Sequence, residues 1–387
     1  MKIILFANTD WYLYNFRLSL AHALRKSGLQ VLLISPPGPY SAILKAQGFR
    51  WKPFVFDRRG MNPLGEVKTI LRLARIYRLE RPDMVNHFTP KCILYGSSAA
   101  RLARVPAVMN TFTGMGYLYT AKTWQARLFQ AAFEIVLRLA LYRVKHVASF
   151  HNPEDRDQMV RAGIVSKSQT VVIRGAGVDT SKFVPRPERE DEPLVVLPAR
   201  MLWDKGVGDF VEAARLLKKR GVRVKCVLVG MLDKHNPAHI PRAQVEAWER
   251  EGVIEWWGHQ DNIADVLASS HIVVLPSYRE GLPLALVEAA ACARPIVSTD
   301  IPGCREIVRH GENGFLVRPK DSKSLAQAIA TLVEDPILRV CMGARGRQIV
   351  VDQFSSEIIQ REILTVYHQL LGVHLDQKKG VPRLVEV

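Results

Sequence analysis

Short apolar runs alternate along this chain with longer stretches in which apolar residues recur at helical spacing. The runs Lys2–Ala7, Gln30–Ser35, Lys52–Phe56, Met84–His87, Ala107–Thr111, His146–Phe150 and Thr170–Ile173 predict strands. Asn15–Ser27, Leu64–Arg81 and Ala121–Lys145 predict helices among them. This βαβ order predicts a parallel sheet with helices on both faces. Residues 181–193, rich in proline and charge and free of apolar runs, predict a linker.

The alternation then restarts. Strands are predicted at Leu194–Ala199, Val224–Val229, Ile254–Trp257, Ile272–Pro276 and Ile296–Ser298. Helices are predicted at Val207–Arg220, Ile263–Ser269, Pro283–Ala293, Ser322–Glu334 and Pro336–Phe354. A last helix, Ser355–Leu371, stands outside this alternation and could pack on either lobe. The expected organisation is a first α/β domain over 1–180, a linker over 181–193, a second α/β domain over 194–354, and a helix with a tail over 355–387.

At 387 residues and 48% hydrophobic, the chain exceeds one ordinary α/β core and suits two. Only Asp376–Gly380, near the C-terminus, has little to bury. Five scattered cysteines, with no CxxC pair, fit neither a zinc site nor a disulfide framework and point to a reducing compartment. The apolar start of the chain is too short for a signal peptide, and Leu128–Tyr142 is too short and too charged to span a bilayer. A cytoplasmic protein is expected, free or attached to the cytoplasmic face of a membrane.

Charge sharpens that picture. The net charge is +17, and residues 1–185 carry all of it, with 27 Lys and Arg against 10 Asp and Glu. The remainder has 27 of each sign. The first half therefore suits an anionic partner: lipid headgroups, a diphosphate-bearing substrate or nucleic acid. The helix Ala121–Lys145 mixes large apolar residues with Lys122, Arg127, Arg138, Arg143 and Lys145, as an interfacial helix does, although a core-facing helix shares that pattern. With the charge excess of this half, it favours an anionic membrane surface.

Candidate chemistry concentrates in the second half. A buried strand runs through Pro276 and Ser277 into Glu280-Gly281-Leu282-Pro283-Leu284-Ala285 and on to Glu288. Proline suits the first turn of a helix, and a helix N-terminus reached from a strand's carboxyl end attracts anions. Glu280 and Glu288 would repel a phosphate but could accept hydrogen bonds from sugar or ribose hydroxyls. Plain helix-capping and surface roles are the alternative. Glu288, set among alanines, leucine and valine, should have a partner. Upstream, Arg200 and Lys205 follow another strand, where a guanidinium fork and a point charge suit two neighbouring phosphates.

These residues resemble the motifs of the retaining glycosyltransferases with the two-lobed GT-B fold, family 4. The likeness lies in Glu280-x7-Glu288, in Arg200-x4-Lys205, and in the later Gly303–Val308 and Gly311–Val317 segments. It implies two Rossmann-like domains facing across a cleft. Arg200 and Lys205 would hold the diphosphate and support its departure, Glu280 would bind the transferred sugar, and Glu288 the ribose. Backbone N–H groups of Gly281, Leu282, Pro283's neighbours, Leu284 and Ala285 would meet donor oxygens. No metal or other cofactor is implied, only a nucleotide-diphosphate sugar, UDP-linked by expectation.

A narrower likeness, to enzymes that extend undecaprenyl-diphosphate-linked saccharides, rests on Tyr14–Arg17, His87–Thr89 and Thr113–Tyr117. It implies a lipid-linked acceptor, or the transferred sugar, near Asn8, Asp10, Tyr14, Asn15, Arg17, His87, Thr113 and Gly114. The sequence departs from the family twice. The first loop lacks the usual glycine pair, and Thr113 or Gly114 stands where a histidine is common. His87 could equally be structural. Rival classes have less support. No acid/base pair marks an epimerase, no lysine marks a pyridoxal phosphorylase, GxGxxG is incomplete, and no nucleic-acid motif accompanies the basic charge.

Overall fold

The computed structural model describes residues 1–57, 62–114, 124–142, 144–234, 236–375 and 382–384. The chain divides into two units. Unit 1 comprises Met1–Ala176 with Ile359–Val387, and unit 2 comprises Gly177–Ile358.

Unit 1 runs β1 (Lys2–Phe6), α1 (Asp10–Lys26), β2 (Gln30–Ser35), α2 (Ser41–Ala46), β3 (Arg50–Pro53), α3 (Pro63–Glu80), β4 (Met84–Phe88), α4 (Pro90–Ala103), β5 (Ala107–Phe112), α5 (Trp124–Leu141), β6 (His146–Phe150), α6 (Pro153–Arg161) and β7 (Thr170–Val172). Its strands are all parallel, in the order β3-β2-β1-β4-β5-β6-β7. Leu5 and Leu33 fill one face of the sheet, and Ile4 and Ile34 the other, as alternation requires. Helix α1 begins at Asp10, five residues before the apolar periodicity suggests. The Thr9 hydroxyl accepts the Tyr12 N–H at 3.0 Å and so takes up an orphan donor of the first turn. The third strand lies earlier than expected: the Phe54 N–H makes the last hydrogen bond to β2, to the Ser35 carbonyl at 2.8 Å, and Phe54 and Phe56 pack against Phe6.

Unit 2 runs β8 (Leu194–Pro198), α7 (Val207–Lys219), β9 (Lys225–Val229), α8 (Arg242–Arg250), β10 (Glu255–Trp256), α9 (Ile263–Ser269), β11 (Ile272–Leu275), α10 (Leu284–Ala291), β12 (Ile296–Thr299), α11 (Pro302–Arg305), β13 (Gly314–Val317), α12 (Ser322–Glu334) and α13 (Pro336–Gln353). Its sheet is again parallel, ordered β10-β9-β8-β11-β12-β13. Strand β13 goes unread in the sequence because it is four residues long, opens on glycine and lies at the edge.

Helix α14 (Ser356–Leu371) settles the question of the last helix. Ile359, Ile363, Tyr367 and Leu370 enter the core of unit 1, and the Asn86 amide donates to the Tyr367 hydroxyl at 2.6 Å. A short antiparallel pair, Val373–Leu375 with Pro382–Leu384, follows; the segment Asp376–Gly380 lies outside the described residues.

The stretch expected to be a linker is instead fastened to unit 2. Arg347 donates to the carbonyls of Thr180 (3.0 Å) and Phe183 (2.7 Å). Glu188 sits between Arg339 at 2.9 Å and Arg294 at 3.9 Å, cations whose side chains are 6% and 3% exposed. Sequence distance hid these partners, which lie more than a hundred residues downstream. Removing one member of a buried ion network leaves the others uncompensated. Glu188→Ala is therefore expected to destabilise unit 2 by about 3 kcal/mol. Thermal unfolding checks this, and a melting point within a degree of the parent would show the network to be slack.

Candidate active site

In unit 2 the winding reverses between β8 and β11. Open α/β sheets bind ligands at such a switch point, beyond the strands' carboxyl ends. The predicted residues gather there. Arg200 follows β8, Lys205 closes the short turn Trp203–Lys205 before α7, and Glu280 lies between β11 and α10.

Two glycines let these loops meet. Gly206 has φ of +69°, and a Cβ on it would stand 2.1 Å from the Pro276 carbonyl oxygen. The β8–α7 loop therefore lies directly on the β11–α10 loop, and the Tyr278 N–H donates to the Asp204 carbonyl at 2.9 Å. A Cβ on Gly303 would stand 2.5 Å from the Glu280 carbonyl oxygen, so α11 closes on the same loop from the β12 side. The Gly303–Val308 motif thus acts through shape.

Within this frame the Lys205 ammonium pairs with Glu280 Oε1, which also accepts the Ser277 hydroxyl at 2.8 Å. Both side chains are largely shielded, at 22% and 12% exposed. Arg200 is exposed and pairs with Asp233 at 2.7 Å. Both expected diphosphate ligands are thus matched by carboxylates that an incoming phosphate would have to replace. Helix α10 begins at Leu284, with Pro283 as N-cap and no side chain capping it. Gly281 and Leu282 lie in the loop just before its first turn, which includes Ala285. Glu288 is half-buried one turn inside. Burial pushes its carboxyl up to about 7, against a lesser opposing pull from the Lys182 charge.

Sequence reasoning did not single out Ser277, Asp233 or Lys182. Ser277 was visible inside the motif. Lys182 meets Glu288 only through the fold. A groove of about 520 Å³ between β13 and α12, lined by His310, Phe315, Arg318 and Thr331 among others, includes none of these residues.

Unit 1 has its own switch point, between β1 and β4. Asn8 lies half-buried in the β1–α1 turn. The buried Asp10 carboxylate accepts the Tyr40 N–H at 2.8 Å and the Ser41 hydroxyl at 2.9 Å, so it fixes the turn after β2. Tyr14 packs on Tyr40, and the exposed Asn15 donates its amide to the Trp11 carbonyl.

Arg17 is 2% exposed. Its guanidinium lies over the rings of Phe88 (4.5 Å) and Tyr12 (5.5 Å) and donates to the Tyr12 hydroxyl at 2.8 Å. Buried His151, at the carboxyl end of β6, has no partner for Nε2, and burial with the nearby Arg17 charge pulls its pKa down to about 3. His87 is wholly buried. It donates from Nδ1 to Asn110 Oδ1 at 2.8 Å and accepts from the Tyr77 hydroxyl at 3.2 Å, and burial lowers its pKa to about 4. It is a neutral residue satisfied inside the core. Thr113 and Gly114 follow β5, half-buried; Met115–Tyr117 lie outside the described residues. Among the described residues no group of three or more His, Cys, Asp or Glu could hold a metal ion.

Two α/β units of this kind, each built on a parallel sheet, are the units of the GT-B glycosyltransferase fold. The model of the family described as glycosyl transferases group 1 matches residues 179–349, and that of the glycosyl transferase 4-like domain matches residues 2–152. The chain belongs to this group of glycosyltransferases.

Among curated proteins it is similar to the N,N'-diacetylbacillosaminyl-diphospho-undecaprenol alpha-1,3-N-acetylgalactosaminyltransferase of Campylobacter jejuni, 27% identical over 96% of this chain and 99% of that one. It is also similar to the UDP-Gal:alpha-D-GlcNAc-diphosphoundecaprenol alpha-1,3-galactosyltransferase of Escherichia coli, 26% identical over 77% and 78%. Among solved structures, Anabaena HepE in complex with UDP and glucose aligns with a TM-score of 0.78 at 20% identity, covering 95% of this chain and 99% of that one. The likeness in structure supports the fold.

Proposed function

We propose that the protein moves a hexose or N-acetylhexosamine, with retention, from a UDP-sugar to an undecaprenyl-diphosphate-linked saccharide in bacterial polysaccharide synthesis. The observation that carries the chemistry is the Lys205–Glu280 pair at the β8/β11 switch point, with Arg200 earlier in the same β8–α7 loop. The acceptor class rests on the names of the two curated relatives, both of which extend diphospho-undecaprenol saccharides.

On this reading the donor diphosphate takes Lys205 and Arg200 from their carboxylates. Glu280, released, accepts hydroxyls of the transferred sugar, and Glu288 accepts those of the ribose. The uncapped start of α10 adds backbone N–H groups and its positive dipole end. Lys205 and Arg200 then support the charge that grows on the departing diphosphate, so catalysis is positioning plus electrostatics. The departing phosphate takes the acceptor hydroxyl's proton from the same face, which retains the configuration. The reaction as drawn uses no metal or other cofactor.

On the acceptor side Asn8, Tyr14, Asn15, Thr113 and Gly114 border the carboxyl ends of β1 and β5, and Arg17 supplies positive charge behind them. A lipid-linked acceptor places the enzyme on the cytoplasmic face of a membrane, attached peripherally. No helix among the described residues is long and apolar enough to cross one.

Proton NMR of the transferred sugar tests the stereochemical claim. An α-linked product from an α-linked UDP-sugar is expected, with the same rate in EDTA. A β-linked product, or a rate abolished by EDTA and restored by a divalent cation, would overturn the mechanism.

A further inference from the structure

A charge buried inside a domain is normally paired, because taking it out of water alone is costly. Arg17 of α1, 2% exposed, breaks that rule. It forms no ion pair among the described residues. Asp10, the one acid of α1, is already held by Tyr40 and Ser41. The Nε and Nη2 of Arg17 both donate to a single neutral oxygen, the Tyr12 hydroxyl, at 3.2 and 2.8 Å. The rings of Phe88 and Tyr12 add cation–π attraction, which recovers only part of the lost hydration.

A second polar group near it is also unsatisfied. Four buried side-chain nitrogens have no hydrogen-bond partner among the described residues: His146 Nε2, His151 Nε2, Arg294 Nε and His368 Nδ1. His146 opens β6, Arg294 precedes β12, and His368 lies on α14. Of the four, only His151 stands at the carboxyl end of a strand, where open parallel sheets bind ligands. It is 7% exposed and within electrostatic reach of Arg17. Phe88, under the guanidinium, ends β4. A buried cation and a buried imidazole thus share the carboxyl end of the sheet, neither of them paired to a carboxylate among the described residues.

We infer that Arg17 and His151 form an anion site that takes a phosphate group of the acceptor's diphosphate. The phosphate replaces the Tyr12 hydroxyl on the guanidinium, and Tyr12, only half-buried, turns aside. A guanidinium binds phosphate through two parallel N–H···O bonds, each about twice as strong as a bond to a neutral oxygen, so the exchange is favourable. Neutral His151 adds an Nε2–H donor without adding a like charge beside Arg17. Neither residue transfers a proton; both hold the acceptor in place. Identification of the phosphate as the acceptor's rests on the lipid-linked reading above, whereas the anion chemistry rests on the two side chains alone.

The experiment uses the full chain, 13C-labelled at its histidines and saturated with UDP so that the donor site of unit 2 is filled. NMR follows the His151 resonance, identified by its loss in His151→Gln, through an acid titration. In the protein without further ligand, burial and the Arg17 charge pull the His151 pKa down to about 3. Inorganic pyrophosphate is expected to raise that midpoint by about 2 pH units, as an adjacent opposite charge does. Arg17→Met keeps the length of the side chain and removes its charge. It is expected to melt no lower than the parent and to bind pyrophosphate roughly thirtyfold more weakly. His151→Gln is expected to weaken pyrophosphate by roughly tenfold. Farnesyl diphosphate, a diphosphate on a prenyl chain, is expected to compete with pyrophosphate for the site.

A His151 midpoint that pyrophosphate leaves in place, or an Arg17→Met protein that binds pyrophosphate as the parent does, would overturn the inference. So would Arg17→Met melting well below the parent while pyrophosphate fails to stabilise the parent, which would make Arg17 a structural strut. Inorganic phosphate binding as tightly as either diphosphate would make this a free-phosphate site and remove it from the acceptor. None of these readouts needs sugar transfer. Lipid-independent release of UDP would strike the acceptor reading and leave the anion site standing.

Discussion

At pH 8, Glu288→Gln is expected to melt higher than the parent protein and yet to bind its nucleotide sugar more weakly. Both effects come from one carboxyl. Burial raises Glu288 to about 7, whereas in the unfolded chain it titrates near the ordinary glutamate value of about 4.3. Between those values the folded protein holds a proton that the unfolded chain has lost. The raised pKa therefore favours the folded state fully at low pH, and that advantage disappears as pH rises through about 7. Above it, folding must keep a charged carboxylate in a poor environment, at a cost on the order of 2 kcal/mol for this half-buried site. The neutral amide removes that cost at pH 8 and changes little at pH 4.

Binding runs the other way. A carboxylate accepts two ribose hydroxyls, and glutamine can offer only one acceptor oxygen, so KM for the donor is expected to rise at least tenfold at pH 8. In the parent, donor affinity should weaken as pH falls below about 7 and Glu288 takes up its proton. Melting curves and donor titrations across pH 5–9 check both halves. A variant that melts lower at pH 8, or a parent whose donor affinity is flat with pH, would remove Glu288 from the ribose role.

The second large effect is on catalysis. Lys205→Ala is expected to lower kcat by about a hundred- to a thousandfold, the range for removing one preorganised group from a site of developing charge. The same change leaves Glu280 with only the Ser277 hydroxyl. Some of the loss could then be misplacement of Glu280. Lys205→Arg separates the two effects. It keeps the charge but not the shape of an ammonium, and should recover the pairing more than the rate. Steady-state kinetics with saturating donor reads this directly. A kcat within threefold of the parent in Lys205→Ala would mean that the leaving diphosphate is supported elsewhere.

The clustering of the proposed donor residues was legible because its signals are local. Strand, turn and helix start lie within the span from Ile272 to Glu288, and the two acids and two cations sit at fixed spacings around strand ends. The double α/β order was legible for the same reason, since each βα unit writes its own period. What escaped depends on distance or on backbone detail. Glu188 reads as surface charge in a proline-rich stretch, and only folding brings Arg294 and Arg339 to it. Asp10 and His87 read as possible ligands, yet each has its hydrogen bonds satisfied by its own domain. Arg17 reads as an acceptor-side candidate, but only the fold shows it buried against the rings of Phe88 and Tyr12. The pattern of α5 fits core and interface alike; the structure buries Phe133, Leu137 and Ala140 and leaves Trp124, Leu128 and Leu139 exposed.

The most direct measurement is release of nucleotide diphosphate from a panel of nucleotide sugars, with and without a bacterial lipid extract and with and without EDTA. The expected result is release from one UDP-sugar, dependent on the lipid fraction, unchanged by EDTA and lost in Lys205→Ala and Glu280→Ala. Release that needs no lipid, or that survives both substitutions, would contradict a lipid-directed transferase working through this pair.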